Sequence, residues 1–372
     1  MPRGDGTRVI HAGLPDAAHG EPLLPGPEFA SLYHLHGDPG EGYFYGRYGN
    51  RTWAAYEAAL GELEGGRALV FGSGMAAAAA VLLPTLMPGD VLLLPEDGYP
   101  AVRTLARDQL EPRGVELRFA PSGPAFADAV ADDVTLVWVE SPSNPGLEVS
   151  DLRDLTRRAH IAGALVAVDN TLATPLGQRP LELGADFSMS SDTKYMSGHS
   201  DLLLGHVAVD DEGLFDRLLA WRTTAGSIAG PFETWLAHRS LATLDVRLER
   251  QCASALALAE ALAGREDVSA VRYPGRPDDP AYGVAREQMT RFGSIVVFDL
   301  GSRERAERFL ALCELVADAT SFGGVHSTAE RRARWPGNEV GEGFIRMSAG
   351  CESPEDLIAD VTQALDRSAP RT

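Results

Sequence analysis

Residues 134–169, VTLVWVESPSNPGLEVSDLRDLTRRAHIAGALVAVD, hold two apolar runs, VTLVWVE and ALVAVD, separated by enough chain for one helix. Near-continuous aliphatic runs mark strands buried on both faces, and parallel neighbours need a crossover of this length between them. The same rhythm extends outward on both sides. RALVF (67–71), DVLLLP (90–95) and VELRF (115–119) precede the pair, and DFSMS (186–190) and LLLGHVAV (202–209) follow it. Strands alternating with helix-length segments predict an α/β fold with a mainly parallel central sheet covered on both faces.

Beyond the sheet, PFETWLAHRSLATLDVRLERQCASALALAEALAG (231–264) reads as one long helix. It leads to a smaller region in which VSAVRY (268–273), SIVVFDL (294–300) and FIRMSAG (344–350) are strand-like, an α+β pattern. Residues 1–50 are rich in Gly, Pro, His and Tyr without periodicity and read as an extended arm. The expected organisation is an arm over 1–50, a large domain over 51–230 and a C-terminal domain over 231–372, consistent with a length of roughly two domains.

A formal net charge of −20 argues against a nucleic-acid or anionic-membrane surface. The N-terminus has no apolar signal core, and the longest apolar run, 76–87, is too short to span a bilayer and carries Pro84. Cys252, Cys313 and Cys351 are odd in number and widely spaced, which fits neither a disulfide framework nor a metal site. These features favour a cytoplasmic compartment.

Of 33 basic Lys and Arg residues, 32 are arginine; the single lysine is Lys194, in DFSMSSDTKYMSGHSD (186–201). Codon bias accounts for the arginines, but not for a survivor set among Ser, Thr, Gly and His. An ammonium, unlike a guanidinium, can lose its proton when desolvated and attack a carbonyl. Lys194 lies on a loop between two expected strands, and a Schiff-base lysine is the leading reading.

If Lys194 binds pyridoxal 5'-phosphate, the chain must supply a carboxylate for the ring nitrogen, an aromatic face, a phosphate cradle and a cation for the substrate carboxylate. Asp169, ending ALVAVD, is the carboxylate candidate; a cap or turn Asp is the alternative. Ser73, Gly74 and Met75 sit before an Ala-rich helix whose N-terminus suits a dianion, with Ser191 and Thr193 as added hydroxyls. Tyr99 is the aromatic candidate. Arg346, in an otherwise apolar strand, needs a partner that a substrate carboxylate or a structural salt bridge would provide. No GxxxxGK[ST] and no strand-following GxGxxG occurs, which disfavours a nucleoside triphosphate and a dinucleotide.

With the lysine segment, YGRYGN (45–50), FGSGMAA, VESPSNP (139–145), VDNTLATP, SFGGVHS (321–327) and IRMSAGCESPEDL, the chain from about residue 40 to 367 resembles the Cys/Met-metabolism family of pyridoxal-phosphate enzymes. The resemblance implies the type I fold of pyridoxal-phosphate transferases, and a tetramer built from dimers that share active sites. It assigns Tyr45 and Arg47 to the cofactor phosphate of a neighbouring subunit, Asn144 to the ring, and Ser327 to the substrate carboxylate. His326 would take the specificity position. Asp192 departs from the pattern where a small residue is usual, and Arg51 stands where Pro commonly follows Asn50.

The resemblance further implies a sulfur amino-acid substrate, with Lys194 and Tyr99 as catalytic groups. It is strongest toward bacterial enzymes that cleave L-cystathionine by α,γ-elimination. Methionine γ-lyase, cystathionine γ-synthase and O-acyl-homoserine sulfhydrylase activities remain open, and a non-catalytic relative would lack the intact cofactor set. Arg331, Arg332 and Arg334 would either hold a distal substrate carboxylate or form a solvated basic turn.

Overall fold

A computed structural model describes residues 3–38, 40 and 42–369; positions 1, 2, 39 and 41 of the expected arm and 370–372 at the C-terminus lie outside it. Seven strands form the first sheet: β1 (Arg67–Phe71), β2 (Val91–Pro95), β3 (Glu116–Ala120), β4 (Leu136–Glu140), β5 (Leu165–Asp169), β6 (Phe187–Ser190) and β7 (Gly205–Val209). Their order is β1-β7-β6-β5-β4-β2-β3, parallel from β6 through β3 and antiparallel where β7 meets β6 and β1. The mainly parallel α/β sheet is therefore present. β7 begins three residues later than its apolar run, because the backbone N–H and C=O of Leu204 bond the Thr193 hydroxyl (3.1 and 3.2 Å) instead of a neighbouring strand.

Helices in the first half are α1 (Asp5–His11), α2 (Arg51–Glu64), α3 (Gly74–Thr85), α4 (Pro100–Leu105), α5 (Leu152–Ile161), α6 (Thr174–Gly177) and α7 (Glu212–Ala225). One face of the sheet packs Leu69, Phe71, Leu92, Leu94 and Trp138 against α3 and α7. The other packs Leu93, Val137, Val139 and Val166 against Leu152, Leu155 and Ala159 of α5. The arm is less irregular than expected. Its α1 places Asp5 in the first turn and Arg8 and His11 in the last, complementing the helix dipole, and buries Val9.

The expected long helix is two, α8 (Pro231–Leu241) and α9 (Leu244–Ala263). Arg247 explains the break: its buried guanidinium takes the Ser240 carbonyl (3.1 Å), the Thr243 hydroxyl (3.1 Å) and the Tyr195 carbonyl (2.8 Å). The Ser240 carbonyl also accepts the Thr243 N–H (3.2 Å) in a tightened last turn, and the guanidinium ties this corner to the residue after Lys194.

The second sheet runs β10-β11-β12-β9-β8, with β8 (Ser269–Arg272), β9 (Ile295–Asp299), β10 (Ala317–Asp318), β11 (Thr328–Arg331) and β12 (Phe344–Ser348). The helices α10 (Tyr282–Gln288), α11 (Arg303–Leu312) and α12 (Pro354–Ser368) complete this half. Phe298, Ile345 and Met347 pack with Phe309 of α11 and with Leu357 and Val361 of α12. β10 and β11 are additions to the expected elements; β11, in TAERRARW, is antiparallel to β12 and sets Glu330 opposite Arg346. Among the described residues no helix is long and apolar enough to cross a membrane.

Candidate active site

The first sheet delivers its chemistry at one edge. In a parallel sheet, strand C-termini and the loops after them open a crevice, and here β4, β5 and β6 end there with Glu140, Asp169 and Ser190. A cleft of about 240 Å³ lies over these ends. Ser73, Gly74 and Met75, Tyr99, Glu140, Asn144, Asp169, Thr171, Ser191, Thr193 and Lys194 line it from this half; Thr320, Ser321, Phe322, Arg332 and Arg346 line it from the second.

Lys194 sits in a tight turn, its N–H on the Ser191 carbonyl (3.1 Å) and its own carbonyl accepting from Gly198 N–H (2.8 Å). Its Nζ donates to Ser321 Oγ at 2.8 Å and lies 5.1 Å from the Phe322 ring centroid. Burial, and next the positive charge of Arg346, bring this amine down to about 8, against the pull of Glu330 and Asp169. A fraction of the lysine is thus neutral and nucleophilic near neutral pH.

Asp169 and Glu140 are paired in register on adjacent strands. Asp169 accepts one hydrogen bond, from Thr171 N–H at 3.0 Å. Burial raises its pKa, opposed by the side chain and then the N–H of Thr171, and last by Lys194. Glu140 accepts the Tyr99 N–H at 2.9 Å, fixing the start of α4, and burial followed by the charge of Asp169 pushes its pKa well above the carboxylate range. Sequence reasoning passed over Glu140, although it ends an apolar strand just as Asp169 does.

The phosphate-cradle candidates also meet. Ser73 caps α3, its hydroxyl accepting from Ala76 N–H (3.1 Å). A Cβ on Gly74 would stand 2.7 Å from Ser191, so only glycine lets the helix start approach the lysine turn. A short helix start with free N–H groups, two serines and a threonine beside the amine suits an aromatic aldehyde phosphate, with Asp169 held ready for a ring nitrogen.

Arg346 is buried, with Nη1 on Asn144 Oδ1 (2.8 Å) and Nη2 on Glu330 Oε1 (2.5 Å) and the Ser321 carbonyl (3.3 Å). Two expected substrate contacts are displaced. Ser327 does not line the cleft: its hydroxyl donates to Glu352 (2.8 Å) and accepts from Gly350 N–H (2.8 Å), a clamp beneath the loop. The serine at the amine is Ser321, at the other end of the same motif. His326 is exposed and also off the cleft. Tyr45 and Arg47 do not line the cleft of their own chain; Arg47 donates to the Thr223 carbonyl (2.7 Å) and stacks near Tyr45 and Tyr48. The arginine cluster splays apart, with Arg331 on Glu342 (2.8 Å), Arg334 on Asp318 (2.9 Å), and only Arg332 at the cleft.

Asp192 points away from the cleft. Fully buried, it accepts from the Tyr56 hydroxyl (3.0 Å) and bonds His206 Nδ1 (2.6 Å), whose Nε2 meets Glu64 (3.0 Å). Burial opposes the imidazolium, but Asp192 and then Glu64 drive His206 up to about 10. The unusual acid is thus neutralised from behind and braces the turn that carries Lys194.

Residues 7–366 match the family model described as Cys/Met metabolism PLP-dependent enzyme. The chain belongs to that family. A Streptomyces coelicolor protein named "Putative cystathionine gamma-lyase" is 56% identical over 370 residues, covering 98% of this chain and 94% of that protein. A cystathionine gamma-synthase of Mycobacterium tuberculosis is 38% identical, covering 97% of each. A Micromonospora echinospora protein, described in one crystal structure as a cystathione gamma lyase and in another as a methionine gamma lyase, superposes with a TM-score of 0.92 at 39–40% identity. It covers 98% of this chain and 99–100% of that one. The chain is therefore a pyridoxal-phosphate-dependent trans-sulfuration enzyme of the type I fold, and its cofactor is pyridoxal 5'-phosphate.

Proposed function

We propose that this enzyme is a cystathionine γ-lyase, cleaving L-cystathionine with water to cysteine, 2-oxobutanoate and ammonia. The reading is carried by the full-length 56% identity with the Streptomyces protein of that name. Lys194 would hold the cofactor, Asp169 its ring nitrogen, Ser73, Gly74, Met75, Ser191 and Thr193 its phosphate, and Tyr99 and Asn144 its ring. Bound there, pyridoxal phosphate supplies an electron sink that acidifies the carbon bearing the substrate amine.

The chain's groups do the rest. Arg346 presents a guanidinium, fixed by Asn144 and Glu330, to the substrate α-carboxylate. Once the substrate amine has displaced it, Lys194 Nζ, lowered to about 8, would take the α proton, release it and, neutral again, take a β proton, while the Tyr99 hydroxyl would donate its proton to the departing cysteine sulfur. Holding base and cofactor on one turn converts these transfers into near-unimolecular steps. Tyr45 and Arg47 complete the cleft of a second copy. Support for this docking comes from the arm's Leu23, Phe29, Leu32 and Leu35, all exposed in the single chain.

The experiment is a product assay on L-cystathionine. Cysteine with 2-oxobutanoate supports the proposal, and homocysteine with pyruvate overturns it in favour of β-cleavage. The Micromonospora relative favours methionine as a second reading; methanethiol release exceeding cystathionine turnover would establish it in place of the first.

A further inference from the structure

On the second-sheet wall of the cleft, β11 and the turn after it build a buried row of charge. Glu330, 1% exposed, lies opposite Arg346 in the β11–β12 register. Its Oε1 accepts from Arg346 (2.5 Å) and from Arg332 Nη1 (2.7 Å), and its Oε2 from the Trp335 indole N–H (2.7 Å). Arg332, 5% exposed, is held on its far side by Asn338 (2.9 Å), and its Nε, among the described residues, has no partner. Burial disfavours the Glu330 carboxylate, but Arg346, the Trp335 indole and Arg332 outweigh it and hold its pKa down.

The site faces two conflicting demands. A buried guanidinium needs a carboxylate to fix its fork, yet that carboxylate cancels the charge meant for the substrate and repels the incoming anion. Glu330 alone against Arg346 leaves a site of zero net charge. With Arg332 the row reads plus, minus, plus, and one positive charge is left over. The remaining charged groups at the cleft do not supply it. In the reading above Lys194 is taken up by the cofactor, Asp169 is an acid and adds no positive charge, and burial followed by the charge of Asp169 disfavours the Glu140 carboxylate.

We propose that Arg332 is a positioning residue that neutralises Glu330, so that Arg346 offers an uncompensated positive charge to the substrate α-carboxylate. The inference rests on Arg346 as the carboxylate anchor, as read above. Arg332 acts through Glu330, and it favours any amino acid over the amine that lacks the carboxylate.

Holoenzyme variants test this with glycine, which carries the carboxylate but no leaving group, titrated as a competitive inhibitor beside ethylamine. Arg332→Gln should weaken glycine about 10- to 100-fold, the scale of one uncompensated like charge a few ångströms away. Ethylamine inhibition should not move, and the loss in turnover should appear in KM more than in kcat. Arg332→Lys should recover part of the affinity. The deciding variant is Glu330→Gln/Arg332→Gln, which restores the net charge and should bind glycine within about threefold of the parent, a non-additive rescue. A double variant as weak as Arg332→Gln, or weaker, overturns the proposal and leaves Arg332 a packing residue. Arg346→Gln separates the two readings. If it abolishes glycine binding while Arg332→Gln leaves glycine affinity at the parent level, only the present inference falls; if glycine binds undiminished to Arg346→Gln, the anchor falls and this inference with it.

Discussion

The two walls of the cleft hold charge in opposite ways. On the first-sheet wall, Glu140 and Asp169 stand side by side at strand ends with one hydrogen bond each, their pKa values raised by burial. On the second, Arg346, Glu330 and Arg332 are cross-linked to each other and to Asn144, Trp335 and Asn338. Asp169, which must meet a resident cofactor, is left with room for the partner that the cofactor supplies. Arg346, which must meet a substrate that comes and goes, is already held by Asn144 and Glu330, so its orientation stands between turnovers.

The contrast can be broken most severely at its centre. Lys194→Arg keeps the charge but removes the group able to lose a proton; turnover should fall at least about 1000-fold, with loss of the visible absorbance of the lysine-bound cofactor. Asp169→Asn removes the acid on the first-sheet wall and should lower kcat about 100-fold or more, with retained cofactor measurable by absorbance. Behind the turn, His206→Gln leaves Asp192 and Glu64 facing each other without a cation. Unfolding stability should drop by about 3–5 kcal/mol in denaturant titrations. In the parent, the His206 pKa is raised to about 10 from an ordinary 6.5, so its contribution is full below pH 6.5 and is lost as pH rises through 10. The smallest effect sharpens the picture without mutation. Because the Lys194 amine is lowered to about 8, cofactor uptake by cofactor-free protein should speed up with pH and level off above 8. A rate still climbing steeply to pH 10 would mean an ordinary, unshifted lysine.

Legibility in the sequence follows the same division. The first wall rests on local signals: an acid ending an apolar strand, a serine capping a helix, one lysine on a loop. Those signals led to Asp169, Ser73 and Lys194, all of which line the cleft. The second wall depends on register between strands that carry charged residues. TAER reads as a polar turn, and only pairing with FIRMS reveals that Glu330 and Arg346 are neighbours. The exchange of Ser327 for Ser321 has the same origin. Both serines belong to one motif, which presses against the lysine turn at Gly323, where a Cβ would meet the Tyr195 backbone at 2.8 Å. The break between α8 and α9 was hidden because its cause, the Arg247 guanidinium, caps the corner through space and leaves no Gly or Pro behind.

The solitary lysine also makes the molecule its own counter. Apart from the chain terminus, an amine-directed dye has one place to react, and that place is a half-buried nitrogen bonded to Ser321 at the floor of the cleft. The number of dyes attached per chain would then report directly what fraction of a preparation still lacks its cofactor.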